Sequence, residues 1–286
     1  MDDVDAFRAA LTSWAATLPR DLPWRRTRDP WAVLVSETML QQTHVHRVLG
    51  KYETFLAEFP DVATCAEAPV GAVIGAWAGL GYNSRAVRLH RAAIAVVGAH
   101  GGRFPDTLPA LMALPGVGPY TARAVLAFAF ERDVAVVDTN VARVIARQLG
   151  RPLVARSVQV AADALVPPER GWWWNQAMLD LGAVVCMKRA PHCESCVVSR
   201  SCAWRGTGVD PAIGSASVSV AQSRFAGSDR QGRGRLVDAL RRTAVREADL
   251  AEVMGWPNDD ERARRVAATV VTDGLAEHTQ GVYRLP

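Results

Sequence analysis

Four cysteines, Cys186, Cys193, Cys196 and Cys202, fall within 17 residues in the pattern C-x6-C-x2-C-x5-C. Thiolates at that density form disulfides or hold metal, and the rest of the chain weighs between the two. Disulfide frameworks belong to small secreted domains, whereas the acidic Met1-Asp2-Asp3 followed by an amphipathic stretch does not read as a signal peptide. Structural zinc sites usually set two C-x2-C hooks across a longer loop. This run has one hook, Cys193 and Cys196, between spacers of six and five. Four thiolates from one short loop suit the four corner irons of a [4Fe–4S] cube, which is the expected cofactor, with zinc as the alternative. Cys65 stands apart in an apolar stretch and reads as a small core residue.

A second segment, Leu114-Pro115-Gly116-Val117-Gly118-Pro119-Tyr120-Thr121-Ala122, lies between two helical runs and reads as a helix-hairpin-helix. Its glycines permit a tight turn that brings main-chain N–H groups, at the start of the second helix, against a phosphate oxygen. Such a contact positions nucleic acid without reading its sequence. A dinucleotide-binding loop fits worse, because no strand precedes Gly116 and the third glycine position holds Thr121. Around the cysteines, Lys188, Arg189, Arg200 and Arg205 face a single acid, Glu194, a positive edge able to meet phosphates.

Two carboxylates have quieter surroundings. Asp138 follows the apolar Val134-Ala135-Val136-Val137 and precedes a helical pattern, so it reads as a helix N-cap. Glu37 falls off the stripe of Trp31, Leu34, Val35, Thr38 and Met39 and reads as solvent-facing.

The elements that must position these groups are helices. Apolar residues recur at helical spacing almost throughout, Pro and Gly punctuate them, and strand signals are scarce, so the body is predicted all-α. The composition, 49% hydrophobic and 22% charged with net charge +4, contains no apolar run that could cross a bilayer and permits a polyanionic partner. Residues 206–226 are rich in Gly, Ser, Ala and Pro and read as a linker. Residues 227–286 show three helical patterns and an alternating segment around Gln280-Gly281, which predicts a small α+β, winged-helix-like module. Its arginines Arg230, Arg233, Arg235, Arg241 and Arg242 are expected to add duplex affinity. The run Trp172-Trp173-Trp174 reads as core and interface packing rather than a stacking platform.

Taken in order, Leu22-Pro23-Trp24-Arg25, Arg28-Asp29-Pro30-Trp31, Ser36-Glu37-Thr38-Met39-Leu40-Gln41-Gln42-Thr43, Gly79-Leu80-Gly81-Tyr82, Leu114 to Ala122, Val137 to Val144, Asn175 to Gly182 and the four cysteines resemble the helix-hairpin-helix DNA glycosylase superfamily with an iron–sulfur loop. Within it the chain resembles most the MutY-type adenine glycosylases. The resemblance implies a two-lobed all-α fold. One lobe is expected at residues 29–132 with the hairpin, the other at 1–28 and 133–205 with the catalytic Asp and the cluster. It implies that Glu37 is the acid and base at adenine and that Asp138 stabilises the oxocarbenium-like sugar, the two-carboxylate logic of glycoside hydrolysis. Tyr120 and Asn140 match positions lining that site, and Arg25 one beside the catalytic Glu. Gln41, Gln42, Thr43 and Tyr82 match positions that meet or enter the duplex, as base extrusion requires. Leu114, Gly116, Val117 and Gly118 in the hairpin, with Lys188 and Arg189 in the cysteine loop, match phosphate contacts.

The related endonuclease III type needs a hairpin lysine to form a Schiff base. Here that position is Tyr120, and the only lysines are Lys51 and Lys188, so a monofunctional enzyme leaving an abasic site is expected. The implied partner is double-stranded DNA with adenine mispaired with 8-oxoguanine or guanine, met by a monomer with no membrane contact, in the bacterial cytoplasm at the nucleoid. Removal of thymine from T·G, or non-catalytic DNA binding by an iron–sulfur protein, are the alternatives. The chain departs from the family pattern at Thr139, usually Gly, and at Asn83, usually aromatic. Its last 60 residues are also too short for the Nudix-like domain of the best-known members.

Overall fold

A computed structural model describes residues 4–18, 21–218 and 224–286. The helices run α1 (Val4–Ala15), α2 (Pro30–Leu40), α3 (Val45–Glu58), α4 (Val62–Glu67), α5 (Val70–Ala76), α6 (Ser84–His100), α7 (Leu108–Met112), α8 (Pro119–Phe128), α9 (Thr139–Leu149), α10 (Ala155–Asp163) and α11 (Gly171–Asp180). Then follow α12 (Asp229–Leu240), β1 (Val245–Arg246), α13 (Leu250–Met254), α14 (Asp260–Thr272), β2 (Glu277–Thr279) and β3 (Val282–Arg284). Among the described residues no helix is long and apolar enough to cross a membrane.

The chain forms two compact units. The first comprises Met1–Val33, Asp106–Leu108 and Gly118–Ala221. Its core gathers Phe7 and Leu11 of α1, Val141, Val144 and Ile145 of α9, and Trp174 and Met178 of α11. Phe7 meets Trp174 edge-on at 5.7 Å, so Trp174 packs in the core. α11 passes at Leu181–Val185 into a π-helical turn, and such turns often occur at functional sites. Residues 206–218, expected to be linker, are packed into this unit. Asp210 pairs with Arg147 at 2.7 Å, Ser215 accepts from Leu153 N–H, and Ala216 N–H donates to Leu153 O. Small, polar composition marked a connection, yet these residues find backbone partners, which a free linker lacks.

The second unit comprises Leu34–Pro105, Pro109–Val117 and Gln222–Pro286. Residues 29–33, 106–108 and 118–132 fall in the first unit, while this unit holds residues 34–105 and 109–117 together with the last 60 residues. Those residues run helix–strand–helix–helix–strand–strand, with antiparallel sheet order β1-β3-β2, the winged-helix arrangement. Tyr283 pairs with Val245 on one side and His278 on the other. The two-residue hairpin turn Gln280-Gly281 has both φ positive (50° and 72°), which matches the right-handed twist of its strands.

Candidate active site

The site begins with α2, whose first turn belongs to the first unit and whose remainder, with Glu37, belongs to the second. Asp29 caps it, accepting from Trp31 and Ala32 N–H at 3.1 and 3.2 Å, and Pro30 occupies the first turn, where no N–H is needed. Every residue from Trp31 to Met39 is buried, Glu37 included at 6% exposure. This corrects the solvent-facing reading. A helix buried all round has no polar stripe, so distance from the apolar stripe carries no information about exposure.

Beyond α2 the chain makes two exposed left-handed turns, with φ 55° at Gln42 and 46° at Tyr82. Non-glycine residues occupy that region at a cost of about 1–2 kcal/mol each, so the surroundings must hold them there. Arg85, which the sequence reading missed, does so. Its Nη1 donates to the carbonyls of Thr38 (2.7 Å), Met39 (2.9 Å) and Gln41 (2.6 Å), which are among the orphan acceptors at the end of α2. Its Nη2 donates to Gly81 O at 3.0 Å, Leu80 O at 3.3 Å and Thr43 Oγ1 at 3.1 Å. Trp77 Nε1 adds a bond to Gly81 O at 3.3 Å. One guanidinium thus ties the helix bearing Glu37 to both the Gln41–Thr43 and Gly79–Tyr82 turns. Burial lowers its pKa to about 10, still charged at neutral pH.

The hairpin turn also belongs here up to Val117. Leu114 and Val117 are buried and joined by a 3.1 Å backbone bond. Gly116 has φ 78°, and a Cβ there would stand 2.6 Å from Arg88 Cβ, so glycine is required by both conformation and space.

In the first unit, Gly118 and Pro119 start α8, and Tyr120 lies half-buried in its first turn. Asp138 is the N-cap the sequence indicated. Its Oδ1 accepts from Asn140 and Val141 N–H at 2.8 and 2.7 Å, and its Oδ2 from Asn140 Nδ2 at 2.8 Å. Burial raises the Asp138 pKa above 3.8, opposed by the Val141 N–H, the Asn140 side chain and N–H, and the charge of Arg143. Thr139, where the family usually has Gly, is exposed within ordinary helix. Gly182 of the π-helical turn passes so close to Asn140 that a Cβ would stand 2.7 Å from Asn140 Cβ.

From Asn140 the contacts run on toward the cysteines. Arg143, 3% exposed, donates to Asn140 Oδ1 at 2.9 Å, Gly182 O at 2.6 Å and Cys186 O at 2.8 Å. Arg147, one turn further, donates to Met187 O at 2.8 Å and Cys186 Sγ at 3.3 Å and stacks 4.5 Å from Trp204. Asn140, Arg143 and Arg147 share one helical face, a spacing visible in the sequence whose meaning required the loop beneath it.

All five cysteines are free thiols, and Cys186, Cys193, Cys196 and Cys202 line one cavity with Arg147 and Trp204. Among the described residues no three His, Cys, Asp or Glu side chains converge as on a single metal ion. Four cysteine thiols around one cavity are a donor set that a multi-iron cluster would fit. Donors point at them: Arg147 at Cys186 Sγ, and Arg205 N–H at Cys202 Sγ at 3.4 Å. The buried Trp204 Nε1–H in the same cavity finds no partner among the protein atoms. Cys65 is buried in α4 with its pKa pushed up to about 12 by burial, an inert core thiol as expected.

Lys188 and Arg189 are exposed on the cysteine loop, as a phosphate contact requires. Arg25 is held by both carboxylate oxygens of Asp180, at 2.9 and 2.7 Å, in a largely buried pair.

The model of the HhH-GPD superfamily of base excision DNA repair proteins matches residues 35–164. The adenine DNA glycosylase of Mycolicibacterium smegmatis is 40% identical over 276 residues, covering 94% of this chain and 92% of that protein. A thermostable thymine-DNA glycosylase superposes with a TM-score of 0.67 at 31% identity, over 71% of this chain and 97% of the other. Endonuclease III in a non-covalent DNA complex superposes with a TM-score of 0.61 at 22% identity, over 69% and 94%.

Proposed function

The chain belongs to the HhH-GPD superfamily of base excision DNA repair proteins and is an adenine DNA glycosylase, and from that premise we propose that it removes adenine mispaired with 8-oxoguanine or guanine in duplex DNA. The observation that carries this reading is the contrast between its two carboxyls. Glu37 is buried on α2 at the family's acid position, while the two oxygens of Asp138 accept three N–H bonds that favour its anion and oppose the rise in pKa that its burial causes.

In the reaction Glu37 gives its proton to N7 of adenine. The bond from N9 to C1′ breaks with its electron pair passing to the base, and the positive charge left on the sugar is met by the Asp138 carboxylate. Glu37, now ionised, takes a proton from water as the oxygen adds to C1′. The products are adenine and an abasic site, with Glu37 protonated again. With Tyr120 at the hairpin position and only Lys51 and Lys188 as lysines, no hairpin lysine is available to form a Schiff base, so the backbone is expected to stay intact.

Cys186, Cys193, Cys196 and Cys202 would hold a [4Fe–4S] cluster, which would cross-link residues 186–202 into one rigid loop. That loop, through Lys188 and Arg189, and the amides of the hairpin grip phosphates. The protein acts as a monomer. Thymine removal, the activity of a structural relative, is the competing reading. The adenine relative is the more similar in sequence, 40% identical against 31%.

The test is single-turnover base release from duplexes holding A·8-oxoG, A·G, A·C and T·G. Adenine release fastest opposite 8-oxoguanine is expected, abolished in Glu37→Gln while duplex binding persists. Release of thymine alone, or wild-type rates in Glu37→Gln, overturn the reading.

A further inference from the structure

Asn83, where the family usually places an aromatic beside Tyr82, has a partner 158 residues away. Arg241, at the end of α12, donates Nη2 to Asn83 Oδ1 at 3.0 Å. Its Nε and Nη2 reach Ile74 O, in the last turn of α5, at 3.1 and 3.0 Å, and Nη1 pairs with Asp238. A buried cation on the orphan carbonyl of a helix end is a firm anchor. Two glycines confirm the close fit. A Cβ at Gly71 would stand 2.4 Å from Pro286 O, and one at Gly274 3.0 Å from Arg91 Nη2.

The anchor brings the start of α12 to the Tyr82 turn. Arg230 Nη1 lies 3.4 Å from Tyr82 Oη, with its guanidinium 6.0 Å from the Phe225 ring. Tyr82 and Phe225 are both exposed, at 41% and 58%. The groove-reading role usual for a winged helix is poorly supported. α14 opens on Asp259, Asp260 and Glu261, its Arg262 and Arg265 pair with Asp229, and Arg233 pairs with Asp273. An acidic helix start repels phosphate, and arginines paired with carboxylates release fewer counterions.

We propose that the carboxy-terminal module is part of the lesion-pair site: Arg241 and Asn83 fix it against the Tyr82 turn, and Arg230, beside Tyr82, is a specificity-determining contact to the base opposite adenine. On the major-groove edge guanine-type bases offer the O6 acceptor to a guanidinium, whereas cytosine offers there an amino donor that repels it. The proposal rests on the reading that Tyr82 enters the duplex at the mispair. It also gives the module a role in lesion recognition rather than in bulk duplex affinity.

The experiment uses the full chain, as wild type, Arg230→Ala, Arg241→Gln and the double variant, in single-turnover adenine release from A·8-oxoG, A·G and A·C duplexes, with a melting curve for each. The readout is the rate ratio of guanine-type over cytosine partners. Arg230→Ala is expected to lower that ratio about tenfold, the worth of one good base contact, with an unchanged melting curve. Arg241→Gln is expected to lower it similarly, and the double variant no further, since both act through one contact. A wild-type ratio that survives Arg230→Ala, or losses that multiply in the double variant, overturns the proposal alone. A wild type that releases adenine without preference overturns the underlying reading of the Tyr82 edge as well.

Discussion

Replacing Arg85 by methionine keeps the length and apolar stem of the side chain and removes its donors. Four carbonyls, of Thr38, Met39, Gln41 and Gly81, then lose bonds of 3.0 Å or less. At roughly 1–1.5 kcal/mol for each acceptor left without its donor, the loss is about 4–6 kcal/mol. Relief of charge burial offsets part of it. Desolvation moves the guanidinium from 12.5 to about 10, and at ~1.4 kcal/mol per unit that is a ~3 kcal/mol cost that methionine does not incur. The net destabilisation is about 1–3 kcal/mol, or roughly 3–10 °C in Tm for a chain of this size. Activity is expected to fall further than stability, because the left-handed Gln42 and Tyr82 lose the bonds that hold them. Thermal melting followed by circular dichroism, and single-turnover adenine release at a temperature where the variant is folded, separate the two effects. Arg85→Lys, a point charge without the planar fork, should recover part of the stability and little of the rate. An Arg85→Met variant that melts within about 1 °C of wild type and excises at the wild-type rate refutes the reasoning.

Three further perturbations follow from the same geometry. Asn140→Ala removes the Nδ2 donor to Asp138 and the link to Arg143. Because burial already raises the Asp138 pKa and the reaction uses the ionised form, the acid limb of the pH–rate profile should move to higher pH, and an unmoved limb shows that the Nδ2 bond does not stabilise the anion. Gly116→Ala must place a methyl against Arg88 Cβ at positive φ, so duplex affinity measured by fluorescence anisotropy should fall with about 1–3 kcal/mol of stability, and retention of both would mean that the hairpin turn relaxes freely. Arg25→Met leaves Asp180 buried and without its bidentate partner, a loss of about 3–5 kcal/mol in denaturant unfolding. A loss below about 1 kcal/mol shows the pair to be structurally neutral.

The sequence by itself determined the parts of this protein whose causes are local. Asp138 caps α9, Gln280-Gly281 turns a hairpin, Gly116 closes the helix-hairpin-helix, and the cysteine spacing delivers four thiols to one cavity, because in each case the residues that interact lie within a few positions of one another or on one short loop. The order of motifs from Leu22 to Cys202 likewise pointed to the family, and Tyr120 at the hairpin position argued against the branch that needs a lysine there. Tertiary structure decided the rest. Glu37 is buried together with every other residue of α2 from Trp31 to Met39, a fact that periodicity within α2 does not contain. Arg85 and Arg241 read as ordinary helical arginines until the fold lays the carbonyls of α2 and α5 against them, 47 and 167 residues away in sequence. Residues 206–218 read as linker until Arg147 and Leu153 supply their partners. In each instance the deciding energy is a hydrogen bond or a desolvation between groups distant along the chain, and only the closed fold brings such groups within reach.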